Sequence, residues 1–208
     1  ILTGKYSKTS LSRAVQKIFE TKKFVLTDIG YYPACENGIS QFALLPLLRK
    51  DGSVQSIIAI ELNLNKLSRV LIENKNIYVS YETYIVGDDF RLRSHTFLGE
   101  SRYTLDKSFE ENIFVNTQAV RNAFARTKGV GIVQDYRGVD VLSSISLIEH
   151  ENFKWAIISE VDEREVESMV SGLKYTILIF VLISSFVALV VMYVITNEKK
   201  KQDKKDDD

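Results

Sequence analysis

A single cysteine, Cys35, excludes an intrachain disulfide framework and any zinc or iron–sulfur site built on several cysteines, and it reads as an unpaired thiol. Two histidines, His95 and His150, leave too little for a histidine metal cluster, and neither stands in a nucleophile or metal motif. An excess of charge of either sign is missing as well, because Lys+Arg and Asp+Glu both number 27. A chain that grips nucleic acid through its phosphates needs a clear positive surplus, so that class is excluded. Neither G-x-x-x-x-G-K-[ST] nor G-x-G-x-x-G occurs, and Gly129-Val130-Gly131 is too short for a phosphate loop. No catalytic, metal or cofactor constellation emerges. No enzyme activity is expected of this chain.

What remains is a composition that folds. Apolar residues make up 45% and charged ones 26% of 208 residues, the balance of a chain built around a core. Mean hydropathy of −0.04 suits a soluble protein, but the average hides one segment. Residues 175–196 read YTILIFVLISSFVALVVMYVIT, 22 positions without a charge. At 1.5 Å per residue they reach about 33 Å, enough to cross a hydrocarbon core of about 30 Å. Tyr175 and Tyr193 stand near the ends, where amphipathic rings favour the interface. The flanks orient the span. Lys199, Lys200, Lys201, Lys204 and Lys205 follow it, whereas only Lys174 and Arg164 stand close before it. The expectation is a C-terminus in the cytoplasm and residues 1–174 outside the inner (plasma) membrane. An outer bulk of this size needs translocation, so a further membrane helix is expected before Ile1.

The outer part repeats a cycle of helix, strand and hairpin. Residues 9–20 carry Leu11, Ala14, Val15, Ile18 and Phe19 at helical spacing, with Thr9 or Ser10 as N-cap. Short β-like runs follow at 24–29, 40–48 and 54–62, the last two joined by a hairpin at Asp51-Gly52. A helix is expected over 64–73 and a break at Asn74-Lys75-Asn76. Tyr31, Tyr32 and Pro33 make a rigid aromatic loop, either the lining of a distal pocket or a packed surface. The second cycle places two strands around Gly87-Asp88-Asp89, a loop over 95–114, and a helix from Asn116 to Arg126 closed by Gly129. Strands follow at 130–136, 139–147 and 153–161, the first two turned at Arg137-Gly138. From Asp162 a helix continues without a proline into the span. No strand–helix–strand alternation of the parallel kind occurs. The expected class is α+β, two antiparallel sheets each with helices on one side.

Two clusters are candidates for binding. Strand alternation sends Arg91 and Arg93 to one face, opposite Leu92, where two guanidiniums suit a carboxylate or phosphate. A structural pairing with Asp135 or a neighbouring acid is the alternative. In Gln134-Asp135-Tyr136-Arg137-Gly138, Asp135 suits the ammonium of an amine or amino acid with Tyr136 as a wall. A purely structural Asp135 stands beside that reading, and Arg137-Gly138 reads as turn chemistry.

The blocks YETYIVGDDFRLRS, TKGVGIVQDYRGVDVLSSISLI and FKWAIISEVDEREV, followed by a span, resemble the membrane-proximal half of double Cache sensor domains. These are the extracytoplasmic parts of bacterial chemotaxis receptors, sensor kinases and membrane cyclases. Residues 24–73 resemble the later part of the distal module. The resemblance implies two PAS-like modules. Residues 1–74 would be the end of the distal one and 75–161 the proximal one, followed by a stalk over 162–174, the span over 175–196 and a tail over 197–208. It also implies an input module that senses a small molecule and acts as a homodimer, with Ser184 and Ser185 allowing close approach of the spans. No ligand identity comes with it: an Arg-Trp-Tyr amino-acid signature is not visible. The RSDSRF pattern of the family reads Arg93-Ser94-His95-Thr96-Phe97 in this sequence. An ectodomain enzyme and a structural or adhesive anchor are the rival readings.

Overall fold

The chain opens with the amphipathic helix that its spacing predicts. In the computed structural model, which describes residues 1–34, 38–72, 78–99, 102–127 and 129–206, helix α1 spans Ser10–Thr21. Thr9 is its extended N-cap and accepts from Ser12 N at 3.2 Å. Leu11, Ala14 and Ile18 on its inner face pack on Val25, Phe42 and Leu44. Those residues belong to β1 (Val25–Leu26) and β4 (Phe42–Leu48), which with β5 (Val54–Glu61) form an antiparallel sheet in the order β1-β4-β5. Two short strands, β2 (Gly30–Tyr31) and β3 (Ile39–Ser40), pair by themselves. The Asp51-Gly52 hairpin forms as expected: Gly52 takes φ +77 and the Asp51 carboxylate accepts from Ser53 N at 2.8 Å. Helix α2 (Leu64–Ile72) follows. Cys35 and the Asn74-Lys75-Asn76 break lie outside the described residues.

The second cycle builds a four-stranded antiparallel sheet in the order β6-β9-β8-β7. Its strands are β6 (Glu82–Gly87), β7 (Val130–Gln134), β8 (Asp140–His150) and β9 (Phe153–Asp162). Between β6 and β7 lie α3 (Leu105–Glu110) and α4 (Gln118–Phe124). Helix α3 falls inside the expected loop and exists through local capping: Thr104 accepts from Lys107 N, and Ser108 donates to Ile113 O at 2.7 Å. Helix α4 is capped by Thr117 instead of Asn116, and Arg126, not Gly129, takes the left-handed turn after it, at φ +57.

The strand expected after Gly87-Asp88-Asp89 shrinks to one bridge, Val86 with Leu92. Serine side chains intercept its ladder. Ser94 Oγ accepts from Ile85 N at 2.9 Å, and Ser108 Oγ accepts from Leu92 N at 2.9 Å. The turn itself holds Phe90 at φ +63, a strained position for a bulky residue. Its ring packs edge-on against Phe124, and its carbonyl accepts from Val115 N at 2.8 Å.

Helices were expected on one side of each sheet, and the second sheet departs from this. One face carries Tyr84, Val86, Ala156 and Ile158 against Val115, Ala119, Val120 and Ala123 around α4. The opposite face carries Ile85, Phe153 and Trp155 against Ile29, Ile39 and Leu105, with Leu64, Leu67 and Leu71 of α2 beside them. Every residue of β6 is therefore buried. Residues of the first cycle complete the second sheet's core.

Two units emerge, Ile1–Glu163 and Arg164–Asp208. The latter is nearly all of α5 (Glu163–Asp206), one uninterrupted 44-residue helix. Within Glu163–Asn197 an 18-residue stretch reaches a mean hydropathy of 2.9, and none of that stretch is buried in protein. Among the described residues this is the one helix long and apolar enough to cross a membrane. Unburied, and without a charge over residues 175–196, it has the length and composition of a membrane span.

Candidate functional site

An open cleft of roughly 680 Å³ lies beside the edge strand β7 of the second sheet. One wall comes from the segment before and along the start of α4, with Phe114, Asn116, Gln118 and Arg121; the other comes from Ile132 through Tyr136. Local sequence explains the shape. Asn116 and Thr117 start α4 and expose polar groups. The β7–β8 hairpin turns at Gly138, at φ +79, with Gly138 N donating to Asp135 O at 3.1 Å. The guanidinium of Arg121 donates to Asn116 O, Asn116 Oδ1 and Gln118 Oε1 at 2.7–3.0 Å. All three acceptors are neutral oxygens, so a ligand carboxylate offers this cation a stronger partner.

Two of the four predicted site residues, Asp135 and Tyr136, line this cleft. The buried Asp135 carboxylate is already engaged. It accepts from the backbone N of Arg137 and Val139 and from Arg137 Nε at 2.5 Å. Arg137 also donates to Asp162 at 2.6 Å, and these two carboxylates outweigh burial to hold its pKa above the ordinary value. Asp135 thus ties the hairpin to the last residue of β9, immediately before α5.

Tyr136 lines the cleft. Its ring meets Tyr103 at 4.7 Å and Tyr84 edge-on at 5.4 Å between centroids. Its hydroxyl donates to Glu82 Oε2 at 2.5 Å. Burial and the neighbouring carboxylate of Glu82 push the Tyr136 pKa far up, so the phenol stays neutral.

Arg91 and Arg93 stand elsewhere. Both stack near Phe109, at 5.8 and 5.4 Å, which agrees with one shared face. Arg91 also lies 4.8 Å over Phe114, behind the cleft wall, and pairs with Asp89 at 3.3 Å and Asn112 at 2.7 Å. Arg93, at 2% exposure, donates through Nε and Nη2 to Asp28 at 3.0 and 2.8 Å and pairs with Asp89 at 3.0 Å. Of the structural partners expected, Asp135 or a neighbouring acid, the neighbour Asp89 pairs with both arginines, and Arg93 adds the distant Asp28, on the first cycle. Trp155 Nε1 donates to the same Asp28 carboxylate at 2.7 Å. Asp28 therefore fastens the loop after β1 to both β9 and the segment after β6.

Three residues carry weight that sequence reasoning missed: Asp28, Glu82 and Glu160. The signal for the two glutamates was present. Alternation along β9 puts Glu160 on the face of Ala156 and Ile158, and along β6 it puts Glu82 on the face of Tyr84 and Val86. Each glutamate is 3% exposed. Asp28 left no such signal, since its partners stand 65 and 127 positions away.

A second cavity of roughly 340 Å³ gathers Ile39, Glu61, Asn63, His95, Leu105 and Asp106. It contains no Phe, Tyr or Trp and none of the predicted site residues. The described residues hold no group of three or more His, Cys, Asp and Glu side chains able to bind a metal.

No family model and no curated protein matches the chain. Solved structures do. The periplasmic sensory domain of the Campylobacter jejuni chemoreceptor Tlp1 aligns with a TM-score of 0.55 at 15% identity, over 74% of this chain and 56% of its own length. The extracellular domain of mmHK1S-Z3, a protein described as a histidine kinase, aligns with a TM-score of 0.54 at 16% identity, over 82% and 59%. The ligand-binding domain of the Pseudomonas aeruginosa PAO1 amino acid chemoreceptor PctB, in complex with L-Gln, aligns with a TM-score of 0.50 at 15% identity, over 85% and 68%. The chain spans little more than half of the first two. The shared property is the fold, an antiparallel sheet architecture that recurs among extracytoplasmic sensor domains.

Proposed function

We propose that this chain, whose fold is that of Cache-type sensor domains, is the extracytoplasmic input module of a bacterial membrane receptor. A small polar molecule bearing a carboxylate enters the cleft between α4 and β7. Arg121 and Asn116 take its carboxylate, and Tyr136 and Tyr103 provide the apolar wall. The observation that carries this reading is the connection between cleft and span. The cleft wall continues through Asp135 and Arg137 to Asp162, and the next residue begins α5. A ligand that binds one arrangement of that hairpin better than another biases the start of the helix. Arg91 supports the wall through Phe114, and Arg93 holds the sheet from behind.

The flanking charges and the family resemblance support the remaining parts of the proposal. Residues 1–174 face outward and the lysine-rich end faces the cytoplasm. Two copies pair along the span, with an output domain beyond it. The modules 1–74 and 75–161 keep separate roles, the second of them holding the cleft.

Titration calorimetry of the chain in mild detergent, with L-amino acids and small dicarboxylates as probes, tests the reading. A carboxylate is expected to bind, and Arg121→Ala is expected to weaken it at least tenfold. Binding that survives Arg121→Ala and Tyr136→Ala unchanged removes the cleft from the proposal. Failure of every probe in the wild type points to a protein partner or a structural anchor. Turnover of a probe would revive the enzymatic reading.

A further inference from the structure

Behind Tyr136 lies a pair of carboxyl groups for which sensing of a carboxylate has no use. Glu82 and Glu160 are direct partners across β6 and β9, and both are buried. Like charges facing each other across a strand pair repel, and burial removes the water that would screen them. No cation among the described residues reaches either group. The nearest guanidinium in the network, Arg137, is committed to Asp135 and Asp162.

The two glutamates are treated unequally by their surroundings. Both oxygens of Glu82 are supplied with donors: the carboxylate accepts from the backbone N of Phe97 and of Leu98, and from Tyr136 Oη. Glu160 receives one donor, Tyr84 Oη at 3.0 Å on Oε2. Its Oε1 has no partner. The buried hydroxyl of Ser143 stands opposite Glu160 across β8 and β9, close enough to lower its pKa as a donor but without a well-formed hydrogen bond. A proton on Glu160 turns an acceptor-only carboxylate into a donor, with Ser143 Oγ on the facing strand as its acceptor. It also relieves the repulsion with Glu82. Ser143 can meet either form, as donor to the anion or as acceptor from the acid, so the like-charge contact is what the proton relieves.

We infer that Glu160 is a proton-binding site, paired across the strands with Glu82, through which external acidity acts on the strand that leads into α5. The charged groups facing Glu160 agree in sign. From β6 come Glu82 and the neutral phenol of Tyr84; from the turn after β7 come Asp135 and Tyr136; from β8 comes Ser143. Burial, the first cause, with Asp135 and Glu82 after it, raises the Glu160 pKa to about 7, against the Tyr84 bond and the nearby Ser143 hydroxyl, which lower it. Protonation balances simply, one proton taken from water and none passed on. The site is independent of the carboxylate-binding reading, and it touches the cleft only where Tyr136 Oη meets Glu82.

Carbon-13 NMR of the full chain in mild detergent, labelled at glutamate and aspartate carboxyl carbons, reads the site directly. One carboxyl is expected to titrate with a midpoint near 7, a proton affinity roughly 300-fold above that of an ordinary glutamate. Glu160→Gln should remove that one resonance and leave the others in place. Glu82→Gln should move the midpoint down at least tenfold in proton affinity, because the facing charge is gone. Tyr84→Phe should move it up, because the donor that favours the anion is gone. A purely structural Glu160 would show none of these opposed shifts. All carboxyls titrating below pH 6 in the wild type overturns the inference, as does a neutral-range titration that persists in Glu160→Gln. Failure of every carboxylate probe to bind leaves these titrations unchanged, so the two readings fail separately.

Discussion

Replacing Asp28 by Ala should unfasten the two sheets from each other at a predictable cost. The carboxylate accepts from Arg93 Nε and Nη2 at 3.0 and 2.8 Å, from Trp155 Nε1 at 2.7 Å and from Ile29 N at 2.7 Å. Its removal leaves Arg93, with a side chain 3% exposed, only Asp89 as an anionic partner. It also leaves the Trp155 N–H without an acceptor. Breaking a buried ion pair from one side costs about 3–5 kcal/mol. The Asp28 side chain is 26% exposed, so water can enter where it stood, and the low end applies. The expected loss is about 3 kcal/mol, with Asp28→Asn near half of it because an amide oxygen can still accept from Trp155. For a domain of this size the larger loss lowers Tm by roughly 6–12 °C. Trp155 is the one tryptophan of the chain, so its fluorescence during thermal unfolding in mild detergent reports on this site. The double variant Asp28→Leu with Arg93→Met should recover most of the loss, because two apolar side chains leave no buried charge. A cost below about 1 kcal/mol for Asp28→Ala, or a double variant no better than the single one, would refute the reasoning.

Two further outcomes are expected. Gly99→Ala places a Cβ 2.4 Å from Tyr136 Cε2, and the ring cannot retreat because Glu82 and Tyr84 hold it. Overpacking of this kind costs about 1–3 kcal/mol and should displace the cleft wall, weakening carboxylate binding in calorimetry; unchanged binding and Tm would show the wall to be soft. The pH dependence of stability carries an unusual sign. The Glu160 pKa is raised in the folded chain, so the native state holds one more proton than the unfolded state between about 4.5 and 7. Its share of stability is therefore full at the acid end and lost as pH rises through about 7, amounting to roughly 3 kcal/mol. Denaturant titrations at pH 5.5 and 8.5 should show that slope in the wild type and its loss in Glu160→Gln; equal slopes in both would place the proton elsewhere.

Much of the fold was legible because its causes are local. A charge-free run of 22 residues is long enough to span a bilayer whatever precedes it, and α5 forms without a break. Asp51-Gly52 and Arg137-Gly138 turn because glycine takes positive φ at both. Helix α1 starts at Thr9 because a hydroxyl there meets an orphaned amide. Local signals failed where side chains replaced backbone partners. Ser94 and Ser108 capture the amides that a strand after Gly87 needed, and Thr104 creates α3 in a stretch without apolar periodicity.

The candidate site divided in the same way. The shared face of Arg91 and Arg93 followed from strand alternation alone, and the place of Tyr136 beside the hairpin from the polar cluster around Arg137-Gly138. The partners of those residues did not. Alternation says which side of a sheet a residue takes, but not which distant chain segment meets it there. Arg93 meets Asp28, and Glu82 meets Glu160, because the second sheet is buried on both faces and closes against elements from elsewhere in the sequence. Membrane span, antiparallel class and turn positions are properties of short segments and are encoded within them. The ion pair that joins the cycles, the buried carboxyl pair and the cleft beside β7 depend on contacts across 65 positions or more, or on gaps between packed elements, and arise only when the chain closes on itself.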